Sequence, residues 1–242
     1  MDFISGQILK VDKPLGWTSF DVVKRVRGTL CRRHGIKRFK VGHAGTLDPL
    51  ASGVMLICTG RATKLIETLQ AGEKEYLATV RFGATTPSYD LEKPIDATYP
   101  ADHIDAAAVE AVLERFRGPQ MQVPPAFSAV KVDGKRAYKM ARKGAAPELA
   151  PKPITISELE LLSFDPATRE ARLRIVCSKG TYIRSLARDL GEALGSGAHL
   201  TGLRRTRVGE ASIYDCDAVD TLIDRLHTIE IEYPENYQQP NK

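Results

Sequence analysis

A chain of 242 residues, 43% of them hydrophobic and 27% charged, holds enough apolar material for one large domain or two small ones, with the charge of an ordinary soluble protein. No apolar run approaches the roughly 18 residues of a membrane span, and the opening Met-Asp-Phe-Ile-Ser-Gly lacks a secretory pattern, so the reading is a cytoplasmic protein. The net charge is +5, and the four cysteines and five histidines show no metal-type spacing, so neither a disulfide framework nor a metal centre is expected.

In chain order, Gly6 to Val11 reads as a short strand leading into Lys13-Pro14. Val22, Val23, Val26 and Leu30 recur at helical spacing over Phe20 to Leu30, with Ser19 as the cap. Residues 42 to 54, Gly-His-Ala-Gly-Thr-Leu-Asp-Pro-Leu-Ala-Ser-Gly-Val, set one acid among glycines and small residues. Gly42, Gly45 and Gly53 permit backbone angles and approaches that a Cβ forbids. Asp48-Pro49 has two readings: a helix cap with proline at the first helical position, or a carboxylate held at the mouth of a backbone-lined pocket.

Arg61 to Leu69 reads as a helix, and Glu75 to Phe82 as a strand with Tyr76, Ala78, Val80 and Phe82 on one face. Asp105 caps a helix running through Phe116. Residues 118 to 153 hold six prolines and much basic charge, which reads as a long loop excursion. Ile154 to Phe164 and Ala171 to Cys177 are strand-like. Thr181 is the expected cap of a helix with Ile183, Leu186, Ala187, Leu190 and Leu194 on one face. A strand over Leu203 to Tyr214 and a helix near Ala218 to Leu226 follow, and residues 227 to 242 read as a frayed polar tail. Several strand-to-strand passages lack a helix, so an α+β fold with a mixed, mostly antiparallel sheet is expected rather than a doubly wound one.

Basic charge is uneven. Residues 24 to 40 carry eight lysines and arginines and no acid, and a second cluster includes Lys131, Lys135, Arg136, Lys139, Arg142 and Lys143. Such patches suit a polyanion, because phosphate contacts release counterions. Either cluster taken alone also reads as a solvated face.

Further stretches carry a pattern: Val-Asp-Lys-Pro-Leu-Gly-Trp-Thr-Ser at 11 to 19, Glu-Lys-Glu-Tyr at 73 to 76, and Val-Pro-Pro-Ala-Phe-Ser-Ala-Val-Lys at 123 to 131. Cys-Ser-Lys-Gly-Thr-Tyr-Ile-Arg-Ser-Leu at 177 to 186 and Leu-Arg-Arg at 203 to 205 complete it. With residues 42 to 54, and in this order, they resemble the TruB-type tRNA pseudouridine synthases over roughly residues 6 to 215. The resemblance implies the pseudouridine synthase fold, a large mixed sheet with surrounding helices and a central active-site cleft. It places the catalytic domain at 1–226, with 118–153 closing over RNA. The tail at 227–242 leaves no room for a complete C-terminal PUA domain.

The implied reaction is isomerisation of the uridine at position 55 in the T-loop of tRNA, after base flipping. Asp48 is then the catalytic carboxylate and Arg184 its ion-pair partner, although helix position alone makes Arg184 a surface residue. Tyr76 stacks on the target base, Tyr182 and Leu203 line the uridine pocket, and His43 packs into the tRNA. Lys13 and Pro14 support the loop from beneath. Arg32, Arg33, Lys37, Arg38, Lys131, Lys135, Arg136 and Arg142 are the expected RNA-backbone contacts. No metal or other cofactor is needed, and nothing demands more than a monomer. After Gly83 the chain departs from the family pattern, reading Ala-Thr-Thr-Pro-Ser-Tyr-Asp-Leu-Glu-Lys, while Asp90 persists. The rival reading is a non-catalytic tRNA-folding chaperone using the same surface; a KH-type clamp at Gly42-His-Ala-Gly45 fits poorly because of the neighbouring acid.

Overall fold

The computed structural model describes residues 1–128, 130–132, 134–142, 144 and 147–235, with side chains at all of these except 131, 132, 135, 136 and 139. The chain divides into two compact units, Met1–Lys74 with Arg204–Lys242, and Glu75–Leu203. Its first half runs β1 (Ile8–Lys13), α1 (Ser19–His34), β2 (Val41–His43), β3 (Ala51–Thr59), α2 (Ile66–Ala71), β4 (Lys74–Phe82), β5 (Ala84–Thr85), β6 (Ala97–Thr98) and α3 (Ala106–Leu113). There follow β7 (Gly118–Gln122), β8 (Lys131–Val132), β9 (Lys135–Arg136), α4 (Ala137–Ala141), β10 (Lys152–Asp165) and β11 (Glu170–Cys177). The chain continues with α5 (Ile183–Ala193), β12 (Ala198–Val208), β13 (Ala211–Ser212), β14 (Asp217–Ala218) and α6 (Val219–Thr228). Among the described residues no helix is long and apolar enough to cross a membrane.

In the first unit the strand order is β14-β1-β3-β12, with β2 also on β3. β1 lies antiparallel to β3, from Ile8 opposite Cys58 to Lys13 opposite Gly53, and parallel to β14. Both kinds of pairing occur, as the expected mixed sheet requires. Val22, Val23, Val26 and Leu30 of α1 and Leu222, Ile223 and Leu226 of α6 close over Val11, Met55 and Ile57. This apolar burial supplies the main stabilisation of the unit.

Thr18, not Ser19, caps α1. Its hydroxyl accepts from the Asp21 amide at 3.1 Å, and the Asp21 carboxylate accepts from the Thr18 amide at 2.9 Å, a reciprocal capping box. The helix stops at Gly35 in the left-handed conformation. The expected helix over Arg61 to Leu69 is a 3₁₀ turn, Gly60–Leu65, that becomes α-helical only in Ile66–Ala71.

Gly53 has φ +109°, and a Cβ there would lie 2.1 Å from the Arg205 carbonyl oxygen, a backbone atom with no room to yield. Gly53→Ala is expected to destabilise the protein by at least about 3 kcal/mol, measured by urea denaturation. A change under about 1 kcal/mol would show that the strand tolerates the methyl group.

The frayed tail expected from residue 227 is corrected for the residues described. Ile229 and Ile231 pack against the core, and Tyr233 meets the His34 ring at 5.3 Å. Arg33 donates to the carbonyls of His227 and Ile229, the latter at 2.7 Å. The remaining residues of the expected tail, 236–242, lie outside the described residues.

In the second unit β4, β11, β10 and β7 are successive neighbours. β4 buries Tyr76, Ala78, Val80 and Phe82 on one face, as the alternation predicts. Asp105 caps α3 through the Ala108 amide at 2.8 Å, also as predicted. Residues 118–153 are not a loop throughout. Gly118–Gln122 pairs antiparallel with β10, from Gly118 opposite Ile156 to Gln122 opposite Lys152, and a short hairpin and helix follow.

Candidate active site

Asp48 sits in a tight turn, not at a helix start. The Ala51 amide donates to the Asp48 carbonyl at 3.1 Å, and β3 begins at Ala51. Pro49 therefore fills the second position of a four-residue turn, where its fixed φ is already correct. This removes the helix-cap reading.

The turn is held by its peptide groups on every side. Ser19, freed from capping, donates to the Leu47 carbonyl at 2.9 Å and accepts from the Leu47 amide at 2.8 Å. The Gly16 amide donates to the Pro49 carbonyl at 2.8 Å. Arg205, 1% exposed, donates from Nε to the Val54 carbonyl at 2.8 Å and from Nη2 to the Gly45 carbonyl at 3.2 Å. Its Nη1 reaches the Thr46 carbonyl at 3.5 Å. Gly45 itself takes a left-handed φ of +98°. Asp48, half-buried, thus has fixed peptides before and after it.

Lys13 lies beneath. It is fully buried, and its ammonium donates to the Pro14 carbonyl at 2.9 Å and the Trp17 carbonyl at 2.6 Å. Burial pushes Lys13 down from 10.5 to about 8; attraction to Asp48 opposes this and repulsion from Arg205 adds to it. A depressed lysine is a penalty at low pH. Below about 8 the folded chain carries the full cost of a buried ammonium, and between about 8 and 10.5 the unfolded chain binds more protons, so stability rises with pH. Unfolding free energies of wild type and Lys13→Met at pH 7 and pH 10 check this. The wild type should gain relative to the variant at the higher pH, and parallel profiles would refute the assignment.

His43 lies on β2 opposite Ile57, with Nδ1 buried, and burial holds the imidazole below its ordinary range. It is mainly neutral at pH 7.

The second unit carries the remaining predicted side chains. Tyr182, not Thr181, occupies the cap position of α5, and no side chain caps that helix. Gln122 does the orienting: it accepts from the Tyr182 amide at 2.8 Å and donates to the Tyr182 carbonyl at 3.1 Å. Arg184 is not the surface residue that helix position alone suggests. It is 5% exposed, donates to the carbonyls of Ser88 at 3.1 Å and Phe127 at 2.9 Å, and its Nε lies 3.7 Å from Asp90. The loop that departs from the family pattern thus supplies an acid to this arginine. Its turn is closed by Thr86, which donates to the Asp90 carbonyl at 2.6 Å, with Tyr89 at φ +61°. Tyr76 is 8% exposed; Tyr182 and Leu203 are half-buried.

Of the expected RNA contacts, Arg32, Lys37 and Arg38 are exposed. Arg33 is half-buried and donates to the carbonyls of residues 227 and 229. Arg142 shares its guanidinium with Glu92 at 3.2 Å. The side chains of Lys131, Lys135 and Arg136 lie outside the described residues. Sequence reasoning missed Ser19, Gln122 and Arg205 as positioning residues. The signals present were the Thr18-x-x-Asp21 box, which makes Ser19 redundant as a cap, and the second arginine of Leu-Arg-Arg.

Comparison with known proteins bears on this arrangement. Residues 32–183 match the model of the TruB family pseudouridylate synthase N-terminal domain, and residues 184–237 that of the tRNA pseudouridylate synthase B C-terminal domain. The tRNA pseudouridine synthase B of Phocaeicola vulgatus is 60% identical over 96% of this chain and 98% of its own. That of Bacteroides thetaiotaomicron is 58% identical over 98% and 99%. Among solved structures, a chain of a Cbf5-Nop10-Gar1 complex superposes with a TM-score of 0.69 at 28% identity, covering 94% of this chain and 56% of that one. A chain of an H/ACA RNP bound to a substrate RNA containing 2′-deoxyuridine gives 0.65 at 25% identity, over 93% and 55%. The present chain thus spans about half the length of those two solved chains. The family models, the full-length relatives and the α+β architecture agree: the chain belongs to the TruB family of tRNA pseudouridine synthases and is an isomerase.

Proposed function

We propose that the chain converts uridine to pseudouridine at position 55 in the T-loop of tRNA, with Asp48 as the catalytic carboxylate. The observation that supports this most is the fixing of the peptides on both sides of Asp48 by Ser19, Gly16 and Arg205, which holds the backbone of one half-buried acid in place without using up a helix end. The reaction breaks the bond from C1′ to N1 and makes one from C1′ to C5. The C5 proton is lost and N1 gains one, so atoms balance with no added reagent. The routes open to Asp48 are attack at C1′, relief of a sugar cation and attack on the base, and each begins with an ionised carboxylate beside the extruded nucleotide.

The remaining roles follow the family resemblance. Arg184 keeps the carboxylate charged, Tyr76 stacks on the extruded base, and Tyr182 and Leu203 exclude water from the sugar. His43 props the flipped conformation, and the stretch between β7 and β10 closes over the RNA. Arg32, Lys37 and Arg38 meet phosphates. The enzyme acts as a cytoplasmic monomer.

The test is incubation of the purified protein with unmodified tRNA, followed by chemical labelling of pseudouridine and mapping of the labelled position. Label at position 55 alone is expected; label elsewhere, or none, refutes the reading. His43→Ala should slow the reaction by about 10- to 100-fold, a positioning loss smaller than that from removing Asp48. Equal losses would make His43 a catalytic group.

A further inference from the structure

Helix α1 turns one face to the core, with Val22, Val23, Val26 and Leu30 buried. On another face Asp21, Lys24, Arg25, Gly28 and Arg32 fall together and, with the Gly16-Trp17 loop, line a groove of about 550 Å³. Three of these side chains are cations, and Lys24, Arg25 and Arg32 are exposed. The one acid is occupied: the Asp21 carboxylate accepts from the Thr18 amide at 2.9 Å and the Thr18 hydroxyl at 2.6 Å.

Gly28 is the informative residue. It lies well inside a 16-residue helix, where glycine costs about 1 kcal/mol relative to alanine. Its φ is not left-handed, and an added Cβ would meet only the Arg32 Nη1, at 3.7 Å, an ordinary contact. Neither packing nor backbone conformation calls for glycine here. What its missing side chain does is keep the floor clear between Lys24, Arg25 and Arg32. From Lys24 to Arg32 the helix advances roughly 12 Å, too long for one small anion and long enough for a run of nucleic-acid backbone. The groove also reaches Gly16, whose amide holds the Pro49 carbonyl next to Asp48.

We propose that this groove binds the sugar–phosphate backbone of the substrate RNA, with Lys24, Arg25 and Arg32 on phosphates, Trp17 against a sugar or base, and Gly28 as the cleared floor. The inference rests on the proposed reading of the protein as a tRNA enzyme and extends its RNA footprint beyond the Asp48 turn.

The test compares wild type, the triple variant Lys24→Ala/Arg25→Ala/Arg32→Ala, and Gly28→Glu, by equilibrium binding of unmodified tRNA across a salt series. The triple variant should bind about tenfold or more weakly near 0.1 M salt, and its slope of log affinity against log salt should fall by about 2. Gly28→Glu fills and recharges the floor with a better helix former, so it should weaken binding while the melting temperature holds or rises. Wild-type affinity and slope in both variants would overturn the proposal. Should the wild type make no pseudouridine in tRNA while both variants still lose affinity, the functional reading fails and the groove stands. Pseudouridine formation by the wild type with undiminished binding by both variants removes the groove alone.

Discussion

Asp48→Asn is expected to lower pseudouridine formation by about 10³-fold or more while leaving tRNA affinity within about twofold of wild type. Asparagine has the size and shape of aspartate. The bonds that Ser19, Gly16 and Arg205 make to the turn are to peptide groups, so the loop keeps its course when the side chain changes. What is lost is the negative charge that the proposed chemistry uses. The C5 proton leaves during the reaction, so tritium placed at C5 of uridine and released to water reports turnover directly. Binding of the same RNA is measured in parallel. Activity within about tenfold of wild type would remove Asp48 from the chemistry. A matched loss of binding would mean instead that residue 48 serves recognition.

The second large effect concerns Arg205, which never needs to touch substrate. Arg205→Met keeps much of the side-chain volume and removes donors from the Val54, Gly45 and Thr46 carbonyls. An unpaired buried acceptor costs about 1–3 kcal/mol; the Val54 bond is buried and the other two part-buried, so a loss of about 3 kcal/mol is expected, after partial relaxation. For a chain of this size that corresponds to a fall in melting temperature of about 10 °C. Urea and thermal denaturation measure it. Arg205 also repels Lys13, so the lysine should titrate higher in this variant. A variant as stable as wild type would show that Ser19 and Gly16 suffice to hold the turn.

How much of this was legible in the sequence differs residue by residue. The strand through Tyr76 and Phe82 and the cap at Asp105 rest on local chemistry that tertiary contacts did not override. Ser19 was misread because Thr18 and Ser19 are both good caps; the acid three residues after Thr18 decides between them. Asp48-Pro49 was ambiguous for a sharper reason. Proline has the same φ at the first position of a helix as at the second position of a turn, so only the strand-forming run beyond it distinguishes the two. Gly118 and Pro119 look like breakers, yet they open β7, at the end of the strand order, where a missing amide is tolerated. Arg184 and Arg205 were invisible as buried groups because arginines usually face water. Ile229 and Ile231 recur with the period of a strand inside an otherwise polar stretch, too short a signal to outweigh its composition.

The anchoring of the Asp48 turn separates two properties that many reactive sites combine. Its address is written in peptide groups and in Ser19, Gly16 and Arg205; the reactivity proposed for it resides in one side chain. Residue 48 is therefore a place where the side chain can be exchanged on an unaltered frame. The same frame resists change at its anchors, so substitutions of Ser19, Gly16 or Arg205 should shift the turn, whereas substitutions at residue 48 should leave it in place.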